Sequence, residues 1–348
     1  MNSIRNILVI RNDKLGDFML AWPSFALLKK QYPKCKLTVL IPEYTRPIAE
    51  QCRWIDQIII DRRHPSFIHD VKQLTALINK HKFDASISLF SELRTSIALW
   101  LARVPYRLAP ATKIAQVFYT HRLRQKRSTS HKPEFEYNTE LVKHYICNNG
   151  DTPVMTPAAP YLFYTADEIS RIKIEYLSSK KISDKSILVI IHPGSGGSAI
   201  NLSIEQYAEL AAHISNHLNA HFIITAGPDE LADATNLSKL LTTVPHSIYH
   251  STRGLHEFSR FINISDLFIS GSTGPLHIAG ALNIPTAAFY PARRSATALR
   301  WQTTNDKAIR LAYTLSQHSG CEEINTIDLV KCASEIAELL KSTKNLSN

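Results

Sequence analysis

Short apolar runs suited to strands recur along this chain with amphipathic helices between them, and that alternation decides the fold class before any single residue does. The first half holds NILVI (6–10), KLTVLI (36–41), DQIII (56–60) and DASISLF (84–90). Helical patterns follow near 18–31, 44–51, 67–80 and 94–102. A repeat of this period makes a parallel sheet with right-handed crossovers. The stretch 104–133 reads as irregular, basic and dotted with aromatics, before a helix near 134–147 and the connector DTPVMTPAAPYL. A helix near 165–178 and the polar run SSKKISDKS come next, and then the pattern restarts with SILVII (186–191), HFIITAG, DLFIS (266–270) and PTAAFY (285–290). The predicted fold class is α/β, with two doubly wound Rossmann-like domains and a ligand cleft between them. The expected boundaries are 1–180, 181–325 and a C-terminal helix over 326–348. At 348 residues the chain is also long for one core.

No apolar run approaches the ~20 residues that span a bilayer. The opening MNSIRNILVIRND lacks the small-residue site of a cleaved leader, so the expected place is the cytoplasm. The five cysteines share no metal-like spacing and read as reduced structural residues. His213, His217 and His221 recur four apart, but the third falls beyond the predicted helix end; a solvated helix face is expected, and no metal site.

The net charge of +10 is concentrated in one place. Between Glu92 and Glu134 there is no acidic residue, while Arg94, Arg103, Arg107, Lys113, Arg122, Arg124, Lys126, Arg127 and Lys132 all fall there. Such a block marks an anionic partner: nucleic acid, an anionic membrane surface or a phosphorylated substrate. A solvated basic loop has the same composition. No nucleic-acid recognition motif accompanies the charge, which sets that partner last.

Four turns carry the chemistry. After the first strand, RNDKLGD keeps a single glycine, Gly16, where a dinucleotide fold would have three, and it adds Asp13, Lys14 and Asp17. A carboxylate there repels phosphate but can accept a proton from an attacking hydroxyl; a plain turn aspartate or helix cap is the other reading. In the second half, Gly194, Ser195 and Gly196 end a buried strand with amides that can face an anion. Ser272, Thr273, Gly274 and Pro275 open a short helix whose free amides and dipole favour phosphate, with His277 one turn in. The same residues also suit an ordinary capped helix. Glu230, in AGPDE, can bind ribose hydroxyls or simply favour a helix start.

Taken together, RNDKLGDFMLAWPSFALLKKQYP, HPGSGGSA, AGPDE and STGPLHIAGALNIPTAAFYP resemble the heptosyltransferase-type glycosyltransferases of family 9. The resemblance implies a GT-B fold and inverting transfer of a heptose from ADP-heptose to a lipopolysaccharide core or related surface glycan. It implies no required cofactor or metal, the nucleotide-sugar being a substrate. Asp13 resembles the family's general base; Gly194, Ser195, Gly196, Ser272, Thr273, Gly274, Pro275 and His277 match the donor-phosphate side, and Glu230 the ribose side. The basic segment matches the acceptor region, giving Arg122, Arg124, Lys126 and Arg127, with Lys14 from the first turn, to an anionic lipid-linked glycan, with peripheral contact at the inner face of the cytoplasmic membrane. Two positions depart from the pattern: Ser272 stands where the family has an aspartate, and Ile200 where it has a lysine. Arg293 and Arg294, just past the last strand, would supply the missing positive charge, or form a solvated basic turn. The altered positions keep two other readings open: a different nucleotide-sugar donor, or a non-catalytic glycan- or nucleotide-binding module.

Overall fold

The computed structural model describes residues 5–112, 114–194, 201–293, 295–317 and 325–345. The chain divides into two compact units, one over 1–127 and 132–161, the other over 128–131 and 162–348.

The first unit runs β1 (Asn6–Ile10), α1 (Leu15–Met19), α2 (Trp22–Gln31), β2 (Lys36–Ile41), α3 (Arg46–Ala49), β3 (Gln57–Ile60), α4 (Phe67–Asn79), β4 (Ala85–Ser88), α5 (Leu93–Leu101), β5 (Tyr106–Pro110), β6 (His121–Leu123) and α6 (Glu134–Asn148). Its six parallel strands lie in the order β3-β2-β1-β4-β5-β6. One core joins Leu8, Ile10, Leu40 and Ile59 from the strands to Leu74 and Ile78 of α4 and Ala98 and Leu99 of α5.

Several sequence expectations change here. The helix expected over 18–31 is two helices, because Pro23 has no N–H to donate and takes the first turn of a new one. The helix expected over 44–51 is a 3-10 turn, Glu43–Thr45, followed by the single turn α3. The stretch read as irregular contains β5, a 3-10 helix at Ile114–Phe118 and β6. Both strands were hidden by charge-bearing positions, the half-exposed Arg107 and the exposed Arg122, which break the apolar run of a buried strand.

The second unit contains α7 (Ala166–Lys180), β7 (Ile187–His192), α8 (Ile204–Ser215), β8 (Ala220–Ala226), α9 (Leu231–Leu240), β9 (His246–His250), α10 (Gly254–Ile262), β10 (Leu267–Gly271), α11 (Gly274–Ala281), β11 (Thr286–Pro291), α12 (Ala298–Trp301), β12 (Arg310–Gln317), β13 (Asn325–Thr326) and α13 (Leu329–Asn345). Its sheet is ordered β13-β12-β11-β10-β7-β8-β9, parallel except for the β12–β13 pair. The expected capping box is present: the Ser203 hydroxyl accepts the Gln206 N–H, and Gln206 accepts the Ser203 N–H in return.

The unit boundary falls at 161/162 rather than 180/181. Helix α7 belongs to the second unit because Tyr176 packs edge-on against Phe261 at 4.8 Å and hydrogen-bonds Ser247. The C-terminal helix is not a separate piece either. Cys332, Ala333, Ile336 and Leu340 of α13 share one core with Tyr207, Leu210 and Ile214 of α8.

Candidate active site

Both sheets reverse their winding direction at one point, between β1 and β4 and between β7 and β10. The crevice at the carboxyl ends of such strand pairs is where doubly wound sheets hold ligands. Asp13 follows β1, Gly194 follows β7 and Thr273 follows β10, so each of these sequence-selected turns opens at a switch point.

In the first unit the organising residue is one the sequence reading did not select. Arg11, directly after β1, is only 3% exposed. Its Nε lies 2.9 Å from Asp13 Oδ1, and its Nη2 pairs with Asp17. Its Nη1 donates to Glu134 Oε1 at 3.2 Å and to Asn138 Oδ1 at 3.3 Å, both on α6. Burial works against the Arg11 charge, yet Asp13, Asp17 and Glu134 together hold its pKa above the ordinary arginine value.

The contact between Arg11 Nε and Asp13 Oδ1 is close without being an aligned hydrogen bond, and both atoms lack a hydrogen-bond partner. Burial therefore dominates Asp13 and pushes its pKa up to about 6; Arg11 opposes this, while Asp17 and Glu134 add to it. A half-exposed carboxyl with a pKa near neutrality is suited to taking up a proton.

A second buried network adjoins at the ends of β1, β3 and β4. Asn12 donates to Asp61 at 2.6 Å, and Arg94 bridges Asp61 at 2.5 Å and Asp70 at 3.0 Å. Arg63 pairs with Glu92 at 2.6 Å.

The basic segment divides when its side chains are followed individually. Arg94 is inside the network just described, and Arg107 donates to the backbone oxygens of Val104 and Phe118. Arg127 donates to Glu134 Oε1 at 2.7 Å, sharing that oxygen with Arg11, and to Leu89 O at 2.9 Å. Arg122, Arg124 and Lys126 are exposed, on β6 or just beyond it, and Lys14 is exposed at the start of α1. The nine charges counted in the sequence thus include several that hold the unit together.

The expected donor-side residues that the structure describes lie in the second unit. Glu230 stands between the ends of β7 and β8. Its Oε2 accepts the Gly227 N–H at 3.0 Å and lies 3.5 Å from His192 Nε2, and the side chain makes no helix-capping bond. His192 is itself buried, which lowers its pKa, while Glu230 works in the other direction. A Cβ on Gly194 would sit 2.2 Å from Glu230 Cδ, so glycine is what lets this carboxylate lie across the strand end. Gly271 plays the same part beneath Asn201, whose amide donates to Pro193 O at 3.1 Å and accepts from Tyr207 OH at 2.5 Å.

Thr273 caps α11 by accepting the Leu276 N–H, and its hydroxyl meets Ser270 Oγ at 3.0 Å. Gly274 and Pro275 form the first turn, half-exposed like Ser272. His277, one turn in, is buried with its Nδ1 unpartnered, and burial lowers its pKa to about 4. With that pKa the ring is a neutral imidazole at physiological pH. Arg293 is exposed in the loop after β11. Ser195, Gly196, Ile200 and Arg294 lie outside the described residues. His213, His217 and His221 do not converge: His213 is on α8 near Glu209, and His221 is on β8 bonded to Ser247. Among the described residues no group of three or more His, Cys, Asp or Glu could hold a metal ion, and no helix is long and apolar enough to cross a membrane.

Comparison with known proteins meets this geometry. A relative from Haemophilus influenzae, provisionally named as a glycosyltransferase, is 40% identical over 99% of this chain and 98% of its own. The crystal structure of a family 9 glycosyl transferase from Veillonella parvula superposes with a TM-score of 0.80, covering 97% of each chain at 19% identity. The E. coli ADP-heptose lipopolysaccharide heptosyltransferase II does so with a TM-score of 0.75, covering 97% of this chain and 99% of that one at 17% identity. Both share the two-domain GT-B fold. The model of glycosyltransferase family 9 (heptosyltransferase) matches residues 71–326, and the chain is a glycosyltransferase belonging to family 9.

Proposed function

We propose that this glycosyltransferase inverts the anomeric centre of ADP-heptose as it transfers the heptose to a lipopolysaccharide core or related surface glycan. The observation that carries the mechanism is the Asp13 carboxylate, raised to about 6 by burial yet kept beside Arg11. Ionised at neutral pH, it accepts the proton of the acceptor hydroxyl as that oxygen attacks the anomeric carbon. The bond from that carbon to the diphosphate breaks, and the charge goes to the leaving nucleotide. Backbone amides at the start of α11 and after Gly194 favour that anion, with Ser195, Gly196, Ser272, Thr273 and neutral His277 donating hydrogen bonds. Glu230 takes the ribose hydroxyls, and Arg293 with Arg294 offsets the diphosphate charge where Ile200 cannot. Lys14, Arg122, Arg124 and Lys126 meet the anionic acceptor, while Arg127 shapes that side through Glu134. No metal or cofactor takes part in this reading. The E. coli relative's name supplies the donor, and the lipid-linked acceptor sets the enzyme's place at the inner face of the cytoplasmic membrane.

Ser272 in place of an aspartate favours one second reading, transfer from a different nucleotide-sugar. A screen of ADP-, GDP- and UDP-sugars with delipidated core acceptors decides between them; turnover confined to GDP or UDP donors overturns the ADP-heptose assignment. Asp13→Asn and Asp17→Asn belong in the same screen. A fall of ~10² or more with Asp13→Asn at unchanged ADP affinity supports the base assignment. A fall confined to Asp17→Asn moves the role to the other carboxylate on Arg11.

A further inference from the structure

Helix α5 is built with its polarity reversed. Its inner side holds Arg94, Thr95 and Ser96 beside Ala98 and Leu99, all buried. Its outer side carries Leu93, Ile97, Trp100 and Leu101, spaced i, i+4, i+7 and i+8, the apolar stripe that a surface helix ordinarily turns inward. Leu93, Trp100 and Leu101 are exposed, Trp100 by 50%.

The stripe continues onto the 3-10 helix that packs against α5. Phe118 packs its ring at a tilt against Trp100, 5.7 Å between centroids, while Ile114 and Val117 stand 71% and 62% exposed. Three residues apart in a 3-10 helix, those two side chains eclipse and face the same way. Monomeric proteins rarely leave large aliphatic and aromatic side chains together in water without a use for them.

Charge defines the partner. Arg103 follows the C-cap of α5, and Arg122 and Arg124 lie on or just past the neighbouring edge strand β6; all three are exposed, with no carboxylate within ion-pair distance among the described residues. No acidic residue occurs anywhere from 93 to 133. An apolar face with an indole, bordered by arginines, matches the boundary between anionic headgroups and acyl chains. A second copy docking across a two-fold axis would bring the same arginines together, so self-association is disfavoured.

We infer that the outer face of α5 and the Ile114–Phe118 turn is a docking surface for an anionic phospholipid bilayer. It deepens the proposed function by giving the enzyme its own hold on the membrane, independent of the acceptor sugar. The test is co-sedimentation of the full chain with vesicles containing about 30% phosphatidylglycerol in phosphatidylethanolamine, against pure phosphatidylcholine. The vesicles hold neither acceptor nor nucleotide, so their result stands apart from that of the transfer assay. We expect at least tenfold stronger partitioning to the anionic vesicles. Trp100→Ser with Ile114→Ser should reduce it at least tenfold, and so should about 0.5 M salt. Thermal unfolding and ADP affinity of that variant should match the parent. Equal partitioning to neutral vesicles, or full binding by the variant, overturns the inference. So does a stable dimer in light scattering that the variant dissolves.

Discussion

Replacing Asp13 by asparagine should make the first unit more stable while it removes the proposed base. Folding lifts the Asp13 pKa from an ordinary 3.8 to about 6, chiefly by burial. Between those values the folded state binds more protons than the unfolded chain, so stability falls as pH rises through that window. Each pKa unit is worth about 1.4 kcal/mol, which puts the full effect above pH 6 at roughly 3 kcal/mol. Asparagine keeps the shape without the charge, and Arg11 keeps Asp17 and Glu134 as partners. The gain should therefore be about 2–3 kcal/mol at pH 7.5, or several degrees in Tm, and should vanish below pH 4. Parallel urea titrations of parent and variant from pH 4 to pH 8 would read the difference directly. A variant less stable than the parent at pH 7.5, or a difference that does not change with pH, would refute the assignment of burial as the dominant influence on this carboxyl.

Other perturbations test the surrounding structure. Arg11→Gln leaves three carboxylates facing each other in a buried site and should cost about 3–5 kcal/mol, seen as a lowered first unfolding transition. Gly194→Ala drives a methyl into Glu230, so ADP affinity measured by calorimetry should fall tenfold or more; Glu230→Ala in the same chain should recover the lost stability but not the affinity. Arg293→Ala with Arg294→Ala should weaken ADP binding about tenfold, in line with loss of one charge-assisted hydrogen bond of about 1.5–3 kcal/mol. Unchanged affinity there means the diphosphate charge is met elsewhere.

The buried strands were legible because they are continuous apolar runs: β1, β2, β7, β10 and β11 are nearly or wholly buried from end to end. Strands β5, β6 and β9 were not. Their half-exposed positions admit arginine and histidine, and YRLAP or HSIYH carries no run to recognise. Helix α11 and its cap were readable from Thr273 and Pro275 alone, since capping is local chemistry. The environment of Asp13 was not, because its charged neighbour Glu134 arrives from far along the chain. Composition misled in the basic segment for a related reason. A count treats every arginine as facing a partner, whereas Arg94 and Arg127 are spent on internal carboxylates.

The Arg11 cluster also constrains how the protein can be made. Arg11 reaches Glu134 across 123 positions and Asn138 across 127, and the Asn138 amide returns to the carbonyl of Leu20. During synthesis, β1 and the turn after it leave the ribosome long before α6 exists. Until α6 docks, the guanidinium lacks the partners that close its far side, and the site cannot take its final form. A nascent chain halted before residue 138 should therefore be open at this point and a ready substrate for chaperones and proteases. Docking of α6 is the event that turns the first unit from a partly assembled sheet into a closed, ion-paired module, and α6 precedes every strand of the second sheet in the chain.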